Sequence, residues 1–155
     1  MSGQRYADQR DESWTVLLVD DDSSVLALVH RMLEQLGFVV LVASDGEAAL
    51  GICRQYRHPI ALLLTDMEMS GMSGFELAES VLQLRPQMAI LFMSGTTPTS
   101  CRREGTIRNH AHLVKPFNAV TLMGALKQAV RSLAVDVSTD PIEASEKTKA
   151  AGAAT

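Results

Sequence analysis

VLLVDDDSS, residues 16–24, sets an apolar run directly against three carboxylates and two hydroxyls. Val16 to Val19 show no polar alternation, the pattern of a strand covered on both faces, and such strands belong to parallel sheets flanked by helices. Beyond the acidic turn, Val25, Leu28, Met32 and Leu36 recur at helical spacing. Asp22 or Ser23 is suited to cap that helix, and Gly37 stops it. The unit is strand, polar turn, helix, and the remainder of the chain repeats it.

Residues 38–42 read as the second strand, and Ser44-Asp45-Gly46 opens a helix to about Tyr56 with Ala49, Cys53 and Tyr56 on one side. Pro59 sets off IALLL, 60–64, the third and most apolar strand, which leads to Asp66. A loop with two glycines covers 67–74, and the third helix covers 75–84 before Pro86. Residues 88–93 form the fourth strand. The polar stretch 95–110 contains Pro98 and Gly105 and holds only a short helix near 98–104. Leu113 and Val114 make a short fifth strand, and Asn118 caps a helix in which Leu122, Leu126, Ala129, Val130 and Leu133 share a face. Residues 1–13 and 134–155 lack such patterns and read as flexible segments around one domain at 14–133.

Five strands alternating with five helices predict an α/β fold, a doubly wound five-stranded parallel sheet with helices on both faces. Ligands in such sheets lie beyond the carboxyl ends of the strands. Asp20, Asp21, Asp66, Ser94 and Lys115 all fall at that edge.

The bulk properties narrow the function. A chain of 155 residues fits one domain, and a formal net charge of -4 gives no electrostatic reason to expect nucleic acid as a direct partner. Cys53 and Cys101 suit a reducing compartment. The first 13 residues resemble neither a signal peptide nor an anchor, and no run approaches the roughly 20 apolar residues of a membrane span. A cytoplasmic protein without membrane insertion is expected.

A lone Asp at a strand end is ordinarily a turn residue or cap, and a Lys before Pro is ordinarily a surface lysine. Their convergence is what carries chemistry. Like charges at one sheet edge raise one another's pKa and cost stability unless a cation is present. Hard oxygen ligands on rigid strands suit Mg²⁺, with Asp20 and Asp21 holding it directly or through water. Asp66, at the end of the central strand, is the nucleophile candidate, able to attack phosphorus and form an acyl phosphate. Lys115 supplies a point charge for a phosphoryl oxygen or for Asp66, and Pro116 restricts its backbone. Ser94 offers a hydroxyl, and Gly95 leaves room for a phosphoryl donor.

Four motifs in order, VLLVDDDSS, LLLTDMEMSGMSGFEL, ILFMSG and HLVKPF, resemble the receiver domain of two-component response regulators over about residues 14–133. The resemblance implies a flavodoxin-like sheet of strand order 2-1-3-4-5. It makes Asp66 the phosphate acceptor, Asp20 and Asp21 the acidic pair that positions magnesium, and the Glu68 backbone carbonyl a further ligand, with Mn²⁺ a workable substitute. Ser94 becomes the hydroxyl that swings toward phosphate, and Lys115 the paired lysine. The implied partners are a sensor histidine kinase or histidine phosphotransfer protein and a downstream protein target. Output passes through the surface of the fourth helix, fifth strand and fifth helix. Such a domain catalyses its own phosphorylation and dephosphorylation without turning over an external substrate. The alternative is a receiver-fold binding or scaffold module whose output does not need phosphate.

Four positions bear on how far the chain keeps to the family pattern. Ser70 replaces the usual Pro and Ser73 the usual Asp, which predicts a more mobile loop. Glu68 adds a carboxylate side chain, either solvated or tuning phosphate lifetime. His112 stands where the family commonly has Tyr or Phe and predicts a weakened aromatic switch. The apolar face of 118–133 serves either the core or a two-fold partner in a homodimer, and the sequence leaves both open.

Overall fold

The computed structural model describes residues 14–95 and 111–138. The expected short helix near 98–104, the flexible segments at 1–13 and 139–155, and Cys101 lie outside the described residues. Five strands are present: β1 (Thr15–Val19), β2 (Val39–Ala43), β3 (Leu62–Asp66), β4 (Ala89–Ser94) and β5 (Ala111–Val114). Four helices accompany them among the described residues: α1 (Ser23–Gln35), α2 (Gly46–Gln55), α3 (Gly74–Leu84) and α4 (Ala119–Ser138). All strand pairs are parallel, and the order is β2-β1-β3-β4-β5, as expected.

Alternation along the strands splits the core into two layers. Leu17, Val19, Leu63, Ile90 and Phe92 pack toward α2 and α3. Leu18, Leu62, Leu64, Leu91 and Met93 pack toward α1 and α4 with Val29, Leu33, Leu122 and Leu126. The central strands β1, β3 and β4 are buried along their whole length. Each leucine withdrawn from water contributes about 1.5–3 kcal/mol, so these strands are the rigid base on which the carboxyl edge is built.

Local signals explain the helix starts. Asp22 accepts the N–H groups of Ser24 and Val25, and Asp45 accepts that of Ala48. Ser73 and Glu76 form a reciprocal capping box at α3. Gly37 ends the first unit at φ 92, a left-handed conformation that costs glycine little. Arg85 closes α3 and reaches back across the fold. Its guanidinium donates to the carbonyls of Cys53 at 3.0 Å, His58 at 2.9 Å and Tyr56. It thereby satisfies carbonyls at and beyond the end of α2.

Several boundaries differ from the sequence expectation. The third strand is Leu62–Asp66 rather than 60–64, because Ile60 is buried without joining the ladder, while Thr65 and Asp66 pair with Phe92 and Met93. Asp66 is thus the last residue of a paired strand. On α1 the buried residues are Val29 and Leu33, with the expected Val25, Met32 and Leu36 half-buried against the same cluster, and only Leu28, 60% exposed, leaves the expected face. β5 begins at Ala111, which brings His112 into the sheet, and α4 continues to Ser138, past the boundary expected at 133.

Candidate functional site

The carboxyl ends of β1, β3 and β4 and the turn after β5 meet at one edge. Asp20, directly after β1, is fully buried. Its Oδ1 accepts the Asp22 N–H at 2.9 Å, and its Oδ2 accepts the Lys115 ammonium at 3.0 Å. Asp66 is 9% exposed; its Oδ1 accepts the Glu68 N–H at 3.4 Å and lies 3.6 Å from Lys115 Nζ. Asp21 is exposed, and its Oδ2 accepts the backbone N–H of Ser70 at 3.2 Å. One oxygen from each of the three aspartates lies within 4.8 Å of the others.

Ser94 ends β4 and is buried, and its carbonyl accepts the Lys115 backbone N–H at 2.8 Å. That bond fixes the turn that carries the ammonium to the carboxylates. The Lys115–Pro116 peptide bond is cis. Gly95 is exposed, and a Cβ there would meet nothing within 4 Å among the described residues. The Glu68 side chain is exposed, and Glu68 is not among the residues of the carboxylate cluster.

The electrostatics refine the expectation of mutual repulsion. The Asp66 carboxyl is raised above the ordinary carboxylate range first by burial, with Lys115 pulling it down and Asp20 pushing it up. Burial works against the charge of Lys115, yet Asp20 and Asp66 together hold it above the ordinary lysine range. Desolvation therefore outranks repulsion, and the lysine already offsets part of the clustered charge. The nearest carboxylate to the ammonium is that of Asp20, not Asp66.

His112 pairs in register with Phe92 and stacks on its ring, with centroids 5.5 Å apart and planes at 27°. Phe75 from α3 lies against the other partner of this stack, 4.9 Å from Phe92. The His112 Nδ1 is buried without a hydrogen-bond partner, and burial lowers the imidazole pKa. A depressed base binds fewer protons folded than unfolded, so stability falls as pH drops below the ordinary value near 6.5. His112→Phe removes both the unpaired nitrogen and this acid sensitivity. The variant is expected to gain about 1 kcal/mol in urea melts at neutral pH, and more than that at pH values below the ordinary histidine range.

Sequence reading passed over two contributors. Thr65 is buried, and its hydroxyl donates to the Asp66 carbonyl at 3.0 Å; a lone polar residue closing an apolar strand was its signal. Gly74 packs so closely that a Cβ would lie 2.2 Å from that same carbonyl oxygen. Nothing in the side-chain pattern marks such a backbone approach.

The fold and this edge define an α/β domain with a buried aspartate, an acidic pair and a lysine gathered at the mouth of a parallel sheet. Residues 16–127 match the response regulator receiver domain, and the chain belongs to that family. It is 32% identical over 127 residues to the two-component response regulator ARR14 of Arabidopsis thaliana, covering 80% of this chain and 33% of that protein. Against the response regulator receiver protein CpdR of Brucella abortus it is 28% identical, covering 73% of this chain and 93% of the relative. Among solved structures, the chemotaxis protein CheY4 of Vibrio cholerae superposes with a TM-score of 0.68 at 31% identity. That match covers 76% of this chain and 98% of the other. The chain spans a third or less of the length of some of the curated relatives it matches.

Proposed function

We propose that this chain is a phosphoacceptor. Asp66 takes a phosphoryl group from a phosphohistidine on a sensor histidine kinase or a histidine phosphotransfer protein, and a downstream protein reads the result. The observation that supports it is one nearly buried carboxylate at a strand end, with Asp20, Asp21 and Lys115 gathered around it. An Asp66 oxygen attacks phosphorus, the phosphorus–nitrogen bond breaks, and its electron pair leaves with the imidazole, giving an acyl phosphate.

Three carboxylate oxygens within 4.8 Å are hard donors of the kind a small divalent cation takes. Asp20, Asp21 and Asp66, with the Glu68 carbonyl, would hold Mg²⁺, or Mn²⁺ in its place. When bound, the cation offsets the negative charge of the carboxylates and the arriving phosphoryl group. Lys115 brings a second positive charge, anchored on Asp20 so that it stays at the edge of the cleft. The Ser94 hydroxyl, at the end of β4, donates to a phosphoryl oxygen once one arrives. Gly95 leaves the approach open to a donor histidine. Pro116 fixes the backbone on the far side of Lys115, and His112, stacked on Phe92 three residues before the lysine, modulates the change that follows. No helix among the described residues is long and apolar enough to cross a membrane, and the reading sets the chain in the cytoplasm with protein contacts as its output. A homodimer is compatible with that output.

Phosphoramidate tests the chemistry without a kinase, because it presents the same phosphorus–nitrogen bond. Phosphorylated protein is expected to accumulate with Mg²⁺ or Mn²⁺ and to be absent with a chelator. Equal accumulation with and without the chelator would contradict the cation's part in the proposal.

A further inference from the structure

We infer that the backbone N–H of Ser70 is a positioning group for the carboxylate cluster, holding Asp21 in place before any cation arrives. The purpose of this contact rests on the phosphoacceptor reading; its geometry does not.

The three aspartates are not held alike. Asp20 is fully buried between the Asp22 N–H and Lys115, and Asp66 is buried beside the Glu68 N–H and Lys115. Asp21 is exposed. An exposed carboxylate on two rotatable bonds samples several rotamers, and ordering it costs entropy each time a ligand needs it in one place. The contact that limits Asp21 comes from across the cleft. The loop between β3 and α3 presents the Ser70 N–H to Asp21 Oδ2 at 3.2 Å.

Such a bond to an ionised acceptor is stronger than one between neutral groups. A carboxylate has two oxygens with about four lone-pair sites, so one N–H leaves capacity for a cation or for its water. The neighbouring Gly71, at φ 83, makes the turn that carries the loop on toward α3. The donor is a main-chain group, and proline has none. Position 70, where the family pattern usually places proline, is therefore able to brace Asp21 in this chain because it is not proline. The hydroxyl of Ser70 has no part in the argument, so alanine or glycine serves equally.

Partners that orient metal ligands typically change affinity about 10–100-fold, and a single main-chain donor to an exposed carboxylate belongs at the lower end. In calorimetric titration of the full chain with MgCl₂, wild type, Ser70→Ala and Ser70→Gly are expected to bind alike. Ser70→Pro is expected to bind about tenfold more weakly while remaining folded. A second measurement needs no metal. Amide hydrogen exchange followed by NMR is expected to show the Ser70 N–H exchanging several-fold faster in Asp21→Ala than in wild type. Equal Mg²⁺ affinity for Ser70→Pro and Ser70→Ala, or Ser70 exchange indifferent to Asp21→Ala, would overturn the inference. A wild-type chain that binds no Mg²⁺ would instead remove the phosphoacceptor reading, with the exchange comparison still deciding whether Ser70 braces Asp21.

Discussion

Lys115→Ala loses about 3 kcal/mol of folding stability in metal-free buffer, and saturating Mg²⁺ returns part of it. The lysine is the only ammonium within bonding distance of the cluster among the described residues, 3.0 Å from Asp20 and 3.6 Å from Asp66. Asp20 is fully buried, so removing its partner leaves an uncompensated charge where water cannot solvate it. The lysine side chain is itself 24% exposed, which keeps the loss at the lower end for a broken buried pair. A cation on the same carboxylates supplies the missing charge, and binding to the folded state alone stabilises it by mass action.

Asp66 adds a pH dependence opposite in sign to that of His112. Its carboxyl is raised in the folded state by burial, so folded protein holds more protons than unfolded between the ordinary carboxylate value and the raised one. Stability therefore falls as pH rises through that window. Lys115 opposes the shift, and its removal widens the window upward. Urea melts of wild type and Lys115→Ala with and without MgCl₂, across mildly acidic to neutral pH, check all three statements. A variant as stable as wild type in metal-free buffer would mean that the ion pair does not offset the buried charge.

Gly74→Ala is the other large effect. The added Cβ would meet the Asp66 carbonyl oxygen at 2.2 Å and the Met67 Cα at 2.9 Å, both backbone atoms at the strand end that carries the Asp66 carboxylate. Neither is the free end of a flexible side chain, so α3 or the strand must move. The Gly74 N–H also donates to the Met67 carbonyl at 3.0 Å, tying the helix start to the same place. The expected loss is about 3 kcal/mol, together with slower phosphorylation, because the displaced atoms belong to Asp66 itself. Gly51→Ala is the control. It lies in α2 with nothing within 4 Å of the new Cβ, and alanine there is expected to gain about 0.5–1 kcal/mol. Similar melting curves for the two variants would refute the close-approach argument.

The parallel sheet and the edge where the polar residues gather were readable because apolar runs mark strands and a parallel sheet aligns their carboxyl ends, whereas the strand order came from the family resemblance. Asp20, Asp21, Asp66, Ser94 and Lys115 needed only that alignment. Apolarity reports burial rather than pairing, however, and for that reason Ile60 drew the third strand two places early. On α1, Val25, Met32 and Leu36 border the core as expected, but Leu28 and Val29 are adjacent, and spacing alone did not say which of the two lies at its centre. The preference of Lys115 for Asp20 over Asp66 depends on fractions of an ångström. The contributions of Gly74 and of the Ser70 N–H lie in the backbone, where a reading of side-chain types has nothing to register.

The central claim is that Asp66 accepts phosphate. Intact-mass measurement of the full chain incubated with Mg²⁺ and acetyl phosphate, followed by peptide mapping, tests it most directly. Wild type is expected to gain the mass of one phosphoryl group, on the peptide containing Asp66, and Asp66→Asn is expected to gain none. No added mass on wild type, or the same gain in Asp66→Asn, would contradict the account.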